Sequence, residues 1–214
     1  MNSIGLFPLS IVLFPNTSLP LHIFEPRYRI LLNSSIEKGT HFGINLVESS
    51  KMFEVGCSAS VTKVTQRYPD GRFDVVIKGE KRYHLQNFSE GSSSYFVGSV
   101  VYFEDNSELI NTELVKECKE KYRQIIEIAY PNRIEQLTSE MLLSVEFPSF
   151  IMAQKSGLSL LEKQKLLEMR SENARLEYLL EHLIDILPSI LEQENIQRII
   201  INDGYLPPPP TDIS

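Results

Sequence analysis

The sequence predicts an α+β protein: a small β unit with one embedded helix, followed by a helical unit. Three observations predict it. Up to about Asp105 the chain is rich in β-branched and aromatic residues punctuated by turn dipeptides. Beyond Ser107 it changes to Leu, Glu, Lys and Gln at helical spacing. Within the first half, Gly79 interrupts an alternating strand and marks a bend of the kind that curls a small sheet toward a barrel.

In chain order, Ile4 to Leu9 and Ser10 to Phe14 read as short extended pieces, because a residue before proline is pushed toward β or polyproline geometry. Leu19 to Glu25 reads as a loop that enters a helix at Pro26, where a first-turn proline gives up only an amide hydrogen that lacks a partner anyway. Tyr28, Leu31, Leu32 and Ile36 then make one apolar stripe, and Gly39 is a natural stop. Phe42 to Val47 reads as a strand, the stretch around Ser49 to Phe53 as a loop, and Gly56 to Tyr68 as a longer strand. The turn Pro69-Asp70-Gly71-Arg72 joins it to Phe73 to Leu85, where Phe73, Val75 and Ile77 alternate with Asp74, Val76 and Lys78. Tyr95 to Phe103 supplies a further strand.

The polar run Glu104-Asp105-Asn106-Ser107 supplies a break and an N-cap, which divides the chain into a β unit (1–105) and a helical unit (106–203). Helices are expected over Leu109 to Tyr130, Arg133 to Val145 and Pro148 to Lys155, the last closed by Gly157. Ser159-Leu160-Leu161-Glu162 has the form of a capping box and starts a fourth. Leu176, Leu179, Leu180, Leu183, Ile184 and Leu187 stripe a long final helix that Pro188 should kink or restart. Pro207 to Pro210 make 204–214 an extended, flexible tail.

With 214 residues, 42% hydrophobic, the chain can bury one large core or two small ones. A net charge of −7 opposes a phosphate backbone and disfavours nucleic acid as a partner. The two cysteines, Cys57 and Cys118, fall in different units, so free thiols in a reducing, cytoplasmic setting are expected. The apolar stretch Leu6 to Leu21 lacks a preceding basic residue and is broken by Pro8, Pro15 and Pro20, unlike a signal peptide. No window approaches the ~20 apolar residues of a membrane span.

Chemistry finds little footing. The nearest string to a phosphate-cradling loop, Gly79-Glu80-Lys81, lacks the partner glycine. The four histidines are isolated, neither cysteine has a neighbour at ligand spacing, and no Gly-x-Ser-x-Gly elbow occurs. Glu172 and Glu177 sit among charged helical neighbours and read as solvated faces. No catalytic residue, cofactor or metal is therefore expected.

Several motifs together carry a family resemblance. Leu6-Phe7-Pro8-Leu9, Val12-Leu13-Phe14-Pro15 and Leu19-Pro20-Leu21-His22-Ile23-Phe24-Glu25-Pro26-Arg27-Tyr28 resemble the opening signature of the Lon protease N-terminal domain. Val55-Gly56-Cys57, Val64 through the Pro69 turn to Lys78-Gly79, and Arg82-Tyr83 are similar to its hairpin. Leu158 to Glu168 with Ala174-Arg175-Leu176-Glu177 is similar to its helical part. The resemblance implies a PUA-like β-pseudobarrel with an embedded short helix and a C-terminal helical bundle. It also implies a stand-alone, non-catalytic substrate-binding module, because the ATPase and Ser-Lys peptidase modules of full-length Lon proteases have no counterpart here. The implied partners are unfolded or exposed apolar polypeptide segments, with a separate protease or chaperone as a candidate. Small-molecule sensing is the alternative function such a fold carries, and RNA binding is disfavoured by the charge.

On this reading the candidate polypeptide contacts are Leu13, Phe14, His22, Phe24, Arg27, Met52 and Phe53. A plainer role stands beside each of them. Ile23, Phe24 and Tyr28 can fill the core while Glu25 and Arg27 tie the loop to neighbouring backbone, and Met52 and Phe53 can pack under their loop.

Overall fold

The computed structural model describes residues 2–91, 94–129 and 147–202, with side chains to residue 192. The expected helix over Arg133 to Val145 and the tail at 204–214 lie outside the described residues. The chain forms six strands: β1 (Asn2–Leu9), β2 (Ser18–Ile23), β3 (Phe42–Glu48), β4 (Lys51–Arg67), β5 (Phe73–Glu90), whose first half alternates buried and part-buried residues, and β6 (Phe96–Tyr102). Helix α1 (Pro26–Lys38) lies between β2 and β3. After β6 come α2 (Thr112–Ala129), α3 (Pro148–Gln154), α4 (Leu160–Glu168) and α5 (Glu172–Asn202).

The strands run in the order β2-β5-β4-β3-β1-β6, and β6 pairs with β5 as well. That extra pairing closes β5, β4, β3, β1 and β6 into a ring, with β2 attached to the far half of β5. Only β1 and β3 are parallel. Register puts Leu6, Gly43, Asn45, Gly56, Tyr83, Leu85 and Val100 on one face, which is the lumen, because the helices must pack on the other. Tyr83 is wholly buried there and its hydroxyl donates to Asn45 Oδ1 at 2.6 Å. A Cβ on Gly43 or Gly56 would come within 2.2 or 2.6 Å of that hydroxyl, so bare backbone on β3 and β4 makes the room.

The bend expected at Gly79 is present as a register shift between Cys57 and Ala59 on the partner strand. Its cause is the close approach of another segment. Asn16 N–H donates to the Gly79 carbonyl at 2.9 Å, Gly79 N–H donates to the Thr17 carbonyl at 2.9 Å, and a Cβ would lie 2.1 Å from the Phe14 carbonyl oxygen.

Helix α1 begins at Pro26, buries Tyr28, Leu31 and Leu32, and ends at Gly39, whose φ of 61° is the left-handed cap geometry glycine adopts without strain. The Ser159 capping box is fully formed at α4. The helical run of α5 continues through Pro188 to Asn202.

Four expectations are corrected. Ser10 to Phe14 is not a strand but the connection that crosses Gly79. Leu19 to Ile23 is not a loop but β2, an edge strand that accommodates Pro20 because no neighbour needs its missing N–H. Lys51 to Phe53 opens β4 instead of lying in a loop. The N-cap of α2 is Asn111, whose Oδ1 accepts from Leu114 N–H at 3.1 Å, and not a residue of 104–107.

One continuous apolar core joins the outer wall of the ring to the helices. Phe7, Phe14, Ile44 and Cys57 meet Cys118 and Tyr122 of α2, Phe150 of α3, Leu166 of α4 and Leu176, Leu179 and Leu183 of α5 in that core. Phe14 stacks on Phe150 at 5.3 Å. Each such aliphatic or aromatic side chain contributes about 1.5–3 kcal/mol on burial.

Candidate functional site

At the rim of the ring an open groove of about 550 Å³ runs between five elements. The end of β1 contributes Pro8, Leu9 and Ser10, the first turn of α1 contributes Arg27 and Tyr28, and the β3–β4 hairpin contributes Val47, Ser50 and Met52. Phe88 of β5 and Phe96 of β6 form the remaining wall, edge to face at 5.3 Å. Phe88 is 47% exposed, so this wall shows aromatic surface to solvent. Its charge is modest: the Arg27 guanidinium lies over the Tyr28 ring at 4.6 Å and pairs with Glu25 at 2.8 Å. Burial, only partly offset by Arg27, raises the Tyr28 hydroxyl above its ordinary pKa and keeps it neutral.

A second exposed cluster lies where β2 meets the β4–β5 hairpin. His22 Nδ1 contacts Asp74 Oδ1 at 2.5 Å, the Tyr68 hydroxyl donates to Asp74 Oδ2 at 2.7 Å, and the Phe24 ring lies 6.2 Å from the His22 ring. The contact with His22, then that with Tyr68, holds the Asp74 carboxyl below its ordinary value; the same bond raises Tyr68. Tyr68 is thereby kept protonated, which suits a hydrogen-bond donor and not a nucleophile.

The seven sequence-derived candidates separate into four groups. Arg27 and Met52 line the groove; Met52 also packs against the lumen cluster of Leu6, Tyr83, Leu85 and Val100. His22 and Phe24 belong to the second patch, and Phe24, at 59% exposure, does not fill the core. Leu13 and Phe14 are buried in the shared core and closed to a ligand, which corrects their placement at exposed loop tips. Phe53 is half-buried in β4 with the Lys51 ammonium 5.2 Å from its ring centre. Glu25 and Arg27 pair with one another, not with neighbouring backbone.

Sequence reasoning missed Phe88 and Phe96. A signal for the first existed: a lone phenylalanine in the polar run Gln86-Asn87-Phe88-Ser89-Glu90, after the core alternation has ended. It also missed the charged junction between the two halves. Arg82 of β5 and Arg175 of α5 share Asp105, Arg175 Nη2 meets Glu172 Oε2 at 2.6 Å, and the Ser149 hydroxyl of α3 donates to the same oxygen at 2.6 Å. Arg82 also donates to the Leu167 carbonyl at 2.9 Å and Arg175 to that of Met169 at 2.8 Å, while Phe150 lies under both guanidiniums, at 5.3 and 4.2 Å. Glu172, expected on a solvated face, has only 1% of its side chain exposed.

Burial works against the Asp105 charge, yet Arg175 and Arg82 outweigh it and hold its carboxyl below the ordinary value. Burial pushes the Glu172 carboxyl up, with Arg175 and Ser149 opposing. A hollow of about 200 Å³ beside this junction is lined by Asn16, Lys81, Phe103 and Phe147 among others.

Cys57 and Cys118 are free and buried, and burial pushes both thiols up to about 12, which makes them poor nucleophiles. Among the described residues no group of three or more His, Cys, Asp or Glu side chains converges in a way that could hold a metal ion. No described helix is long and apolar enough to cross a membrane.

Over residues 3–185 the chain matches the family model of the ATP-dependent protease La (LON) substrate-binding domain. Lon protease 1 of Hydrogenovibrio crunogenus is 26% identical over 198 residues, covering 84% of this chain and 23% of that protein. The Lon protease of Escherichia coli K12 is 28% identical over 206 residues, covering 86% of this chain and 25% of that protein. The chain thus spans about a quarter of the length of these curated relatives. A crystal structure of a Lon N-terminal domain protein from Xanthomonas campestris has a TM-score of 0.66 at 23% identity, covering 85% of this chain and 98% of that one. The N-terminal domain of a Mycobacterium avium complex Lon protease has a TM-score of 0.66 at 15% identity, covering 86% and 99%. Likeness at such identity shows the fold, and the family model, which spans most of the chain, goes further: the chain belongs to the LON substrate-binding domain family.

Proposed function

We propose that this chain binds exposed apolar segments of other polypeptides without catalysing a reaction on them, and that the rim groove is where it does so. The observation that carries the reading is the Phe88–Phe96 wall, aromatic surface left open to solvent in a chain of a substrate-binding family. Met52 supports it, because an unbranched thioether adapts to differently shaped ligands. The non-catalytic part is supported by the poor nucleophilicity of both thiols and by Tyr68 and Asp74 being engaged with each other. Two free cysteines favour a reducing compartment such as the cytoplasm. A protease or chaperone that receives the captured chain is the partner this reading calls for.

A second reading, small-molecule binding at the junction, has the 200 Å³ hollow in its favour. Against it, Arg82 and Asp105 there are already paired with each other. Titration of the purified protein against unfolded casein separates the two: saturable binding in the micromolar range is expected, and no binding at high micromolar concentration would refute the polypeptide reading.

A further inference from the structure

We infer that the groove selects polypeptides by their side chains and leaves their backbone unpaired, a conclusion that rests on the polypeptide-binding reading above. An extended segment is captured either by adding to a free sheet edge or by seating side chains in a groove. Closure of the ring leaves few edges among the described residues. The main ones are the outer side of β2, the Ser60–Arg67 stretch of β4 beyond its pairing with β3, the facing stretches Lys51–Glu54 of β4 and Leu85–Glu90 of β5 that part beyond Val55 and His84, and the flanks of β1 beyond its pairings with β3 and with β6.

Each of these edges is blunted. Pro20 stands mid-strand in β2, and a strand proline is tolerated where its missing N–H faces away from the partner, so the outer edge lacks that donor. The Ser18 carbonyl of the same strand is occupied by the Gln154 side-chain amide, which donates to it at 3.1 Å. On β4, register shifts between Val61 and Lys63 and again between Val64 and Gln66 place two bulges in the unpaired stretch. Bulges break the two-residue repeat of donors and acceptors that an added strand needs. The Arg67 guanidinium, bonded to Asn33 Oδ1 of α1 at 3.3 Å, crosses the same edge.

Where β4 and β5 part, the Phe53 carbonyl accepts from the Asn45 side-chain amide at 3.0 Å, and a register shift between Leu85 and Asn87 breaks the repeat on β5. On the Asn2–Gly5 flank of β1 the Leu31 and Tyr95 side chains close on Gly5. The last edge belongs to the groove itself. There the free end of β1 carries Pro8, which offers a ring and no donor. What the groove does present is apolar side-chain surface from Leu9, Tyr28, Met52, Phe88 and Phe96. The occupant that fits is an unstructured segment rich in aromatic and large aliphatic side chains, held with little regard to backbone direction or amide hydrogens.

The test compares three fluorescent peptides by anisotropy against the whole protein: an unstructured Phe- and Leu-rich parent, its backbone N-methylated analogue, and an analogue with serine in place of each phenylalanine. Methylation removes the amide donors that strand addition requires. The methylated peptide is expected to bind within roughly threefold of the parent, and the serine analogue to bind about tenfold or more weakly. Phe88→Ser should weaken the parent and the methylated peptide by the same factor, which ties both to the groove. A tenfold or larger loss on methylation, with the parent still bound, overturns the inference alone. A parent that does not bind overturns the polypeptide reading and this inference with it.

Discussion

The rim groove and the charged junction are built from the same kinds of group, arginine against aromatic rings, and put them to opposite use. At the junction, Arg82 and Arg175 lie over Phe150 with their charges matched by Asp105 and Glu172 and their remaining hydrogens aimed at helix-end carbonyls. In the groove, Arg27 lies over Tyr28 and pairs with a part-exposed Glu25, while Phe88, edge to face with Phe96, keeps 47% of its surface open to solvent. The junction has all its partners within the chain, so it adds rigidity and asks for no ligand. The groove leaves apolar area uncovered, and each Å² that a ligand covers contributes about 25 cal/mol before the costs of ordering it.

The sharpest way to break this contrast is at the junction. Arg175→Met strips Glu172 of its cation and Asp105 of one of its two, and removing one partner of a buried ion pair costs about 3–5 kcal/mol. Urea unfolding is expected to show a loss of that size, with peptide affinity of the folded fraction unchanged. A loss below about 1 kcal/mol would mean that the network is ornamental.

The mirror experiment belongs to the groove. Phe88→Ser touches a half-exposed ring, so stability should move by no more than roughly 0.5 kcal/mol while affinity for an apolar peptide drops about tenfold. If stability fell and binding held, the aromatic wall would be structural and the comparison would collapse.

The smallest effect is in the His22 patch. Asp74 has its folded pKa lowered by His22 and Tyr68, so the stability this tie contributes is present above the unfolded carboxylate value and is lost as pH falls through the folded one. His22→Ala should move the Asp74 carboxyl up toward its ordinary value, read by carbon-13 NMR titration. An unmoved titration would show that Tyr68 alone sets it.

Features that depend on a few neighbouring residues are legible in the sequence. Pro26 and Gly39 bracket α1, the Pro69 turn joins β4 to β5, and Ser159 with Glu162 caps α4, because each is decided by backbone geometry and local hydrogen bonding within one turn. The α+β class followed from the change of period near residue 105. Of the seven candidate contacts, Arg27 and Met52 line the groove.

What the sequence by itself determined is therefore the kind and order of most elements and the family motifs they carry. The tertiary structure alone decided which residues are covered. Phe14 and Phe24 are the same residue type ten positions apart, yet the first is sealed against Phe150 and the second stands in solvent. Glu172 and Glu177 share one helix, and only the first turns inward to Ser149 and Arg175. Phe88 and Phe96 become one wall because β5 and β6 pair there. Burial is a property of what the distant chain lays over a residue, and no local pattern of apolar and charged groups contains that information.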